Sequence, residues 1–218
     1  MRYPAPDLAP GDWHETVLEV ERSRFLAWVC HAPDVAAFEA LLAAARQAHP
    51  NASHHCSAFI AGPPGEQQAI GFSDDGEPGG TAGRPMYQVL EGAGLGQVGC
   101  VVTRYFGGTK LGTGGLARAY GQAVSDALDT LPCREVTERD ALQLRVEFAG
   151  EAQARAWCAE HDIPVEGAAY QADGVVLTLG WPRDTPRDLT SLEARLKGRL
   201  ELLDPDAACP PGAPCSDR

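Results

Sequence analysis

Two groups of residues carry chemistry by type and spacing. Asp74, Asp75 and Glu77 lie in the segment FSDDGEPGGTAGRP, and Arg84 closes it. Arg104, Lys110 and Arg118 lie in TRYFGGTKLGTGGLARAY, inside a stretch from Gly92 to Ser125 that has no acidic residue. Three carboxylates on a turn, with Thr81 adding an oxygen, suit a hard cation such as magnesium. They equally suit capping of the next turn or pairing with Arg84 and Arg104, and pairing is favoured because one carboxylate cluster is a weak metal signal. The cations surround glycines. A glycine loop that opens a helix presents free N–H groups and a positive dipole end, where an anion binds. The expected anion-binding set is therefore Arg84, Arg104, Lys110, Gly112, Gly114 and Arg118, with His54, Asp74, Asp75 and Glu77 as supporting polar groups.

GGTKLGTGG is not a Walker loop, because Lys110 precedes Leu111 and no Gly-Lys-Ser/Thr stands at the required spacing. Gly112, Gly114 and Ala117 satisfy a degenerate G-x-G-x-x-A. A dinucleotide site also needs an acidic residue ending the next strand, whereas Asp126 and Asp129 fall on the same helix as the turn. His54, His55 and Cys56 resemble transition-metal ligands. Consecutive strand residues point to opposite faces, so His54 and Cys56 share one face, and no second Cys/His pair stands at zinc spacing. No metal and no cofactor are expected. A G-x-S-x-G nucleophile elbow is lacking as well. Arg104, Tyr105 and Phe106 join a cation to aromatics as a base-stacking platform would. Strand alternation sets Tyr105 opposite the other two, which favours core aromatics around one paired arginine. The loop glycines Gly107, Gly108 and Gly114 are expected to hold positive-φ backbone.

The elements that position these residues follow from periodicity. Thr16 to Val20 and Arg24 to His31 form a hairpin around ERS. Asp34 to His49 reads as a helix buried through Val35, Phe38, Leu42 and Ala45. Strands are expected at Ser53 to Gly62, Gln68 to Ser73 and Val98 to Phe106, with a helix from Pro85 to Glu91. A helix beginning near Gly114 buries Leu116, Tyr120, Val124 and Leu128. Pro132 breaks that stripe. Beyond it come an alternating strand from Ala141 to Phe148, a helix from Gly150 to His161, and a hairpin of Gly167 to Gln171 with Val175 to Trp181 around ADG. A helix follows, capped by the box Thr190/Glu193 and marked by Leu192, Leu196 and Leu200, and then a short edge at Leu202-Leu203. Strand, helix, strand, strand, helix, strand is the order of a ferredoxin-like domain. The fold class is α+β in two domains, 1–132 and 133–204, with 205–218 a Pro/Gly-rich tail expected to be disordered.

Composition bounds the function. The 218 residues are 44% hydrophobic, enough for one large or two small cores. A net charge of -12 argues against loose electrostatic binding to nucleic acid, yet leaves room for a local basic face. The N-terminus has no apolar core of a signal peptide and no apolar run reaches spanning length, so a cytoplasmic protein away from membranes is expected. Seven cysteines is an odd number, and Cys30, Cys56, Cys100, Cys133 and Cys158 sit in apolar surroundings, as reduced small hydrophobes do. Cys209 and Cys215 could pair or bind metal, although a disordered tail is the simpler expectation.

SDDGEP, GTAGRP, VVTRYFGGTKLGTGGLARAYG, SRFLAWV and SHHCSAFIAG resemble the IMPACT/YigZ family, in the right order over Ser23 to Leu131. From Cys133 to Leu202 only the element order fits the second domain of the bacterial members. The resemblance implies a first domain akin to the second domain of a small-subunit ribosomal protein and a second akin to the ferredoxin-like last domain of elongation factor G. It also implies a role in translation regulation. The expected partner is RNA, the ribosome or a translation factor, or else a protein partner, met through a glycine-rich basic face without catalysis. Eukaryotic members act by protein binding but carry a further N-terminal domain that has no counterpart in this sequence. The alternative is an enzyme on a small phosphorylated or carboxylated metabolite, with Asp74, Asp75 or His54 in proton or metal roles.

Overall fold

In the computed structural model, residues 1–65 and 69–203 are described. The expected tail at 205–218, with Cys209 and Cys215, and the expected strand start at Gln68 lie outside the described residues. The described residues form two compact units, one of Tyr3–Val136 and one of Met1–Arg2 with 137–203.

The first unit is built on a five-stranded sheet. Its strands are β2 (His14–Val20), β3 (Ser23–His31), β4 (His54–Ile60), β5 (Ile70–Ser73) and β6 (Val98–Tyr105), in the order β2-β3-β6-β4-β5. The β2–β3 hairpin turns at Glu21 and Arg22, both at positive φ. Three helices cover the sheet: α1 (Val35–Ala48), α2 (Gly83–Gly92) and α3 (Gly112–Asp129). Strand alternation divides the burial between two faces. Phe25, Ala27, Val29, Cys56, Ala58, Cys100 and Val102 meet Met86, Leu90, Leu116, Tyr120 and Val124 of α2 and α3 in the larger core. Trp28, Cys30 and Val101 meet Phe38, Leu41 and Ala45 of α1 on the other face. α1 begins where expected because Asp34 caps it, its carboxylate accepting from the Ala37 N–H at 2.8 Å.

Two strands had no counterpart in the sequence pattern. β1 (Arg2–Pro6) pairs with β7 (Cys133–Thr137) in a ribbon that joins the ends of the first unit. The second unit has a four-stranded sheet of β8 (Arg139–Val146), β9 (Val165–Tyr170), β10 (Val175–Pro182) and β11 (Leu200–Leu203) in the order β11-β8-β10-β9. With α4 (Glu151–Glu160) after β8 and α5 (Thr190–Arg195) after β10, this is the ferredoxin-like arrangement. Its core unites Leu142, Leu144, Val146, Trp157, Leu177, Leu179 and Leu192.

Three details of the second unit differ from expectation. Phe148 does not continue its strand but lies half exposed in a 3-10 turn, stacked on Tyr170. Leu200 belongs to β11 rather than to the preceding helix. The capping box does not form: Leu189 occupies the cap position without a side-chain bond, and the Asp188 carboxylate takes the Thr190 N–H at 2.9 Å instead.

Candidate functional site

Apart from Arg84, the candidate residues fall into two sets, both in the first unit. The first is a buried polar network between the ends of β4 and β6 and the turn that precedes α2. The Glu77 carboxylate accepts from Arg104 Nη1 at 2.5 Å and from the Tyr120 hydroxyl at 2.9 Å, and His54 Nε2 stands 3.8 Å away. Arg104 is 5% exposed and Tyr120 fully buried. Burial, with the neighbouring Cys56 and Glu77, drives the Tyr120 phenol far above its ordinary value. Arg104 Nε has no hydrogen-bond partner. Its guanidinium instead stands 5.5 Å from the Phe25 ring and 5.6 Å from the Phe106 ring, whose faces attract a cation.

The two aspartates organise the turn. Asp74 accepts backbone N–H bonds from Gly80, Ala82 and Gly83 at 2.7, 2.9 and 2.8 Å, at the start of α2, where no side chain caps locally. Burial raises the Asp74 carboxyl, but the three N–H bonds outweigh it and hold the group below its usual value. Asp75 takes the His55 backbone N–H at 2.6 Å on one oxygen and Arg46 of α1 at 3.1 Å on the other. Its carbonyl receives His54 Nδ1 at 2.8 Å, and the Asp74 carbonyl receives the Cys56 thiol at 3.0 Å. His54 and Cys56 thus share one face. His55, on the other, meets the Thr103 hydroxyl at 3.1 Å, and burial lowers its imidazole below the ordinary value. The Cys56 thiol is pushed up to about 12 by burial, which leaves it a poor nucleophile. Among the described residues no group of three or more His, Cys, Asp or Glu is placed to hold a metal ion.

The second set lines an open cleft of about 630 Å³ between β2 and α3. Leu18 and Val20 form one wall; Leu111, Gly115, Ala119 and Gln122 form the other; Lys110 and Arg118 stand on it with Glu21 opposite. Among the described residues, neither cation has a carboxylate within ion-pair distance. Arg84 is exposed on the first turn of α2 and is equally unpaired, but it does not line this cleft. Gly112, at φ +70°, starts α3, and Leu111 offers that helix end no side-chain cap. Gly114 is helical and its Cβ position is open apart from Arg118 Nη1 at 3.7 Å. Gly107 owes its place to contact rather than to φ: a Cβ there would overlap the Arg22 backbone.

Geometry therefore gathers Arg104 with His54, Asp74, Asp75 and Glu77, and Lys110 with Arg118. Sequence reasoning missed Arg46 and the hydroxyl role of Tyr120. Nothing local marks Arg46, and Tyr120 looks like any aromatic on an apolar stripe. Phe106 remains 50% exposed at the mouth of the glycine loop, while Tyr105 turns to the opposite face and bonds His49 at 3.0 Å.

Residues 21–128 match the model of the Impact N-terminal domain. An IMPACT family member of Haemophilus influenzae is 39% identical over 185 residues, which is 84% of this chain and 89% of that protein. The IMPACT family member YigZ of Escherichia coli is 39% identical over 197 residues, or 90% of this chain and 96% of the relative. A crystal structure described only as that of a hypothetical protein superposes with a TM-score of 0.68 at 37% identity, covering 93% of this chain and 96% of the other.

Proposed function

Because this chain belongs to the IMPACT family, we propose that it is a translation-related binding protein that engages RNA through the basic face of its first unit. The observation that supports this most directly is the pair Lys110 and Arg118, left without carboxylate partners in a chain of net charge -12. Unpaired cations repel each other and are relieved by phosphate, which accounts for an acid-free stretch from Gly92 to Ser125. Arg84, exposed on α2, adds a further unpaired cation to the first unit, and exposed Phe106 offers a ring for a base to stack on. Arg104 belongs to the scaffold beneath, since Glu77 already neutralises it. An enzyme on a phosphorylated metabolite is less well supported. His54, Glu77, Arg104 and Tyr120 engage one another, and the Cys56 thiol is too basic to attack at neutral pH.

A salt-titrated binding assay with single-stranded RNA tests the proposal. Lys110→Ala and Arg118→Ala should each weaken binding and lower the slope of log affinity against log salt by about 0.7, with unchanged melting temperatures. An unchanged slope in both variants would remove RNA from this face.

A further inference from the structure

The cleft has a second property that phosphate binding does not use: one of its walls is the edge of a sheet. β2 is the outermost strand of the order β2-β3-β6-β4-β5 and, among the described residues, pairs only with β3. Proteins blunt such edges with short strands, prolines, bulges or charges, because open N–H and C=O groups invite another strand. The opposite edge, β5, is four residues long; β2 has seven, runs from His14↔Val29 to Val20↔Ser23 without a shift of register, and contains no proline, glycine or lysine. Its charges, Glu15 and Glu19, sit on the face away from α3, where Trp28 and Arg24 take them up.

An added strand would lie about 4.8 Å beyond β2, beside the helix flank formed by Leu111, Gly115, Arg118 and Gln122. Gly115 and Ala119 keep that flank low. We propose that this lane receives an extended acidic segment of a partner protein, hydrogen-bonded through its backbone to β2, with its carboxylates on Lys110 and Arg118. Charge complementarity selects the occupant, because every second side chain of the added strand faces α3 and meets two unpaired cations among Leu18, Val20 and Leu111, against the single acidic group Glu21 in the cleft lining. Apolar and acidic residues fit there. The alternate side chains lie beside Glu15, Val17 and Glu19 and fit best when neutral or basic. The segment and RNA share Lys110 and Arg118, so they exclude each other; the inference otherwise stands apart from the RNA proposal.

The test uses the full chain and a capped octapeptide with leucine and glutamate alternating at its odd positions and threonine at its even ones. A lysine-for-glutamate version and a backbone N-methylated version are the controls. The acidic peptide should bind about tenfold more tightly than the lysine version, slow amide exchange within residues 14–20, and fail when N-methylated. Lys110→Ala combined with Arg118→Ala should erase the difference between the two charged peptides while leaving the melting temperature unchanged. Absence of binding, equal affinity of both peptides, or binding without slowed exchange in β2 would overturn the inference. Oligouridylate run in parallel separates the two proposals. RNA affinity that depends on the two cations, beside a peptide that does not bind, removes the peptide alone; the converse result removes only RNA.

Discussion

At the scale of single residues, the first unit buries an ion pair, Arg104 with Glu77, almost entirely. Removing one partner of such a pair strands the other charge in a low dielectric, so Arg104→Ala should cost about 3–5 kcal/mol in urea unfolding. A loss below 1 kcal/mol would mean that the pair is solvated. Asp74 makes a separate, pH-dependent contribution. Its folded carboxyl lies below the ordinary value of 3.8, so its stabilisation is complete above that pH and disappears as acid protonates the folded form. Asp74→Ala should therefore destabilise by about 1 kcal/mol at pH 7, as loss of a helix cap does, and the gap from the parent should close as the pH falls below that ordinary value. A gap that stays constant down to pH 2 would show that the carboxylate charge is not what matters. From sequence, the pairing of Glu77 with Arg104 was one of several arrangements open to a carboxylate cluster. The part of Asp74 as cap to a helix that begins nine residues later, at Gly83, could not be read, because it depends on the path of the intervening turn.

At the scale of elements, dihedrals and neighbours both shape the glycine loop: Gly108 and Gly112 stand at positive φ, as expected for Gly108, whereas Gly107 is fixed by contact and Gly114 is helical. Gly107→Val should destabilise strongly, because its Cβ meets the Arg22 backbone and no side-chain movement relieves that overlap. Gly114→Ala should stabilise by about 0.5–1 kcal/mol, since the position is helical and open. Thermal melts of the two variants moving in the same direction would contradict these assignments. The contrast also marks what the sequence made legible. α1, α3 and the central strands declared themselves by apolar period, because each buries one face against the sheet. The distinction between Gly107 and Gly114 did not, as it rests on the turn of a distant hairpin. β1 stayed hidden for a related reason: RYPAP has two prolines and no alternation, and it is a strand only because residues far along the chain pair with it. The missing capping box is a local version of the same problem, with Asp188 reaching the Thr190 N–H first.

At the scale of the whole molecule, the division into units gives a test by truncation. A fragment ending at Thr137 keeps β7 as partner for β1, whereas one ending at Pro132 leaves β1 unpaired. We expect the longer fragment to melt cooperatively and several degrees above the shorter one. Equal melting temperatures would show that the ribbon adds nothing to the first unit. The order of elements in the second unit was legible because its alternating strands and apolar helix faces stand out in sequence, although their ends do not. At the boundary between the units, Pro132 interrupts the helical pattern and the chain continues into β7, so the division falls after Val136.

The β1–β7 ribbon also sets a timetable. Synthesis proceeds from the N-terminus, so β1 leaves the ribosome well before β7, the last strand of its unit to be made, and waits for it. Closing so long a loop carries an entropic cost that only the finished sheet offsets. The nascent chain therefore exposes an unmatched strand through most of its translation, and a pause placed after β7 has cleared the ribosomal exit tunnel would give the first unit time to close before the second one is complete.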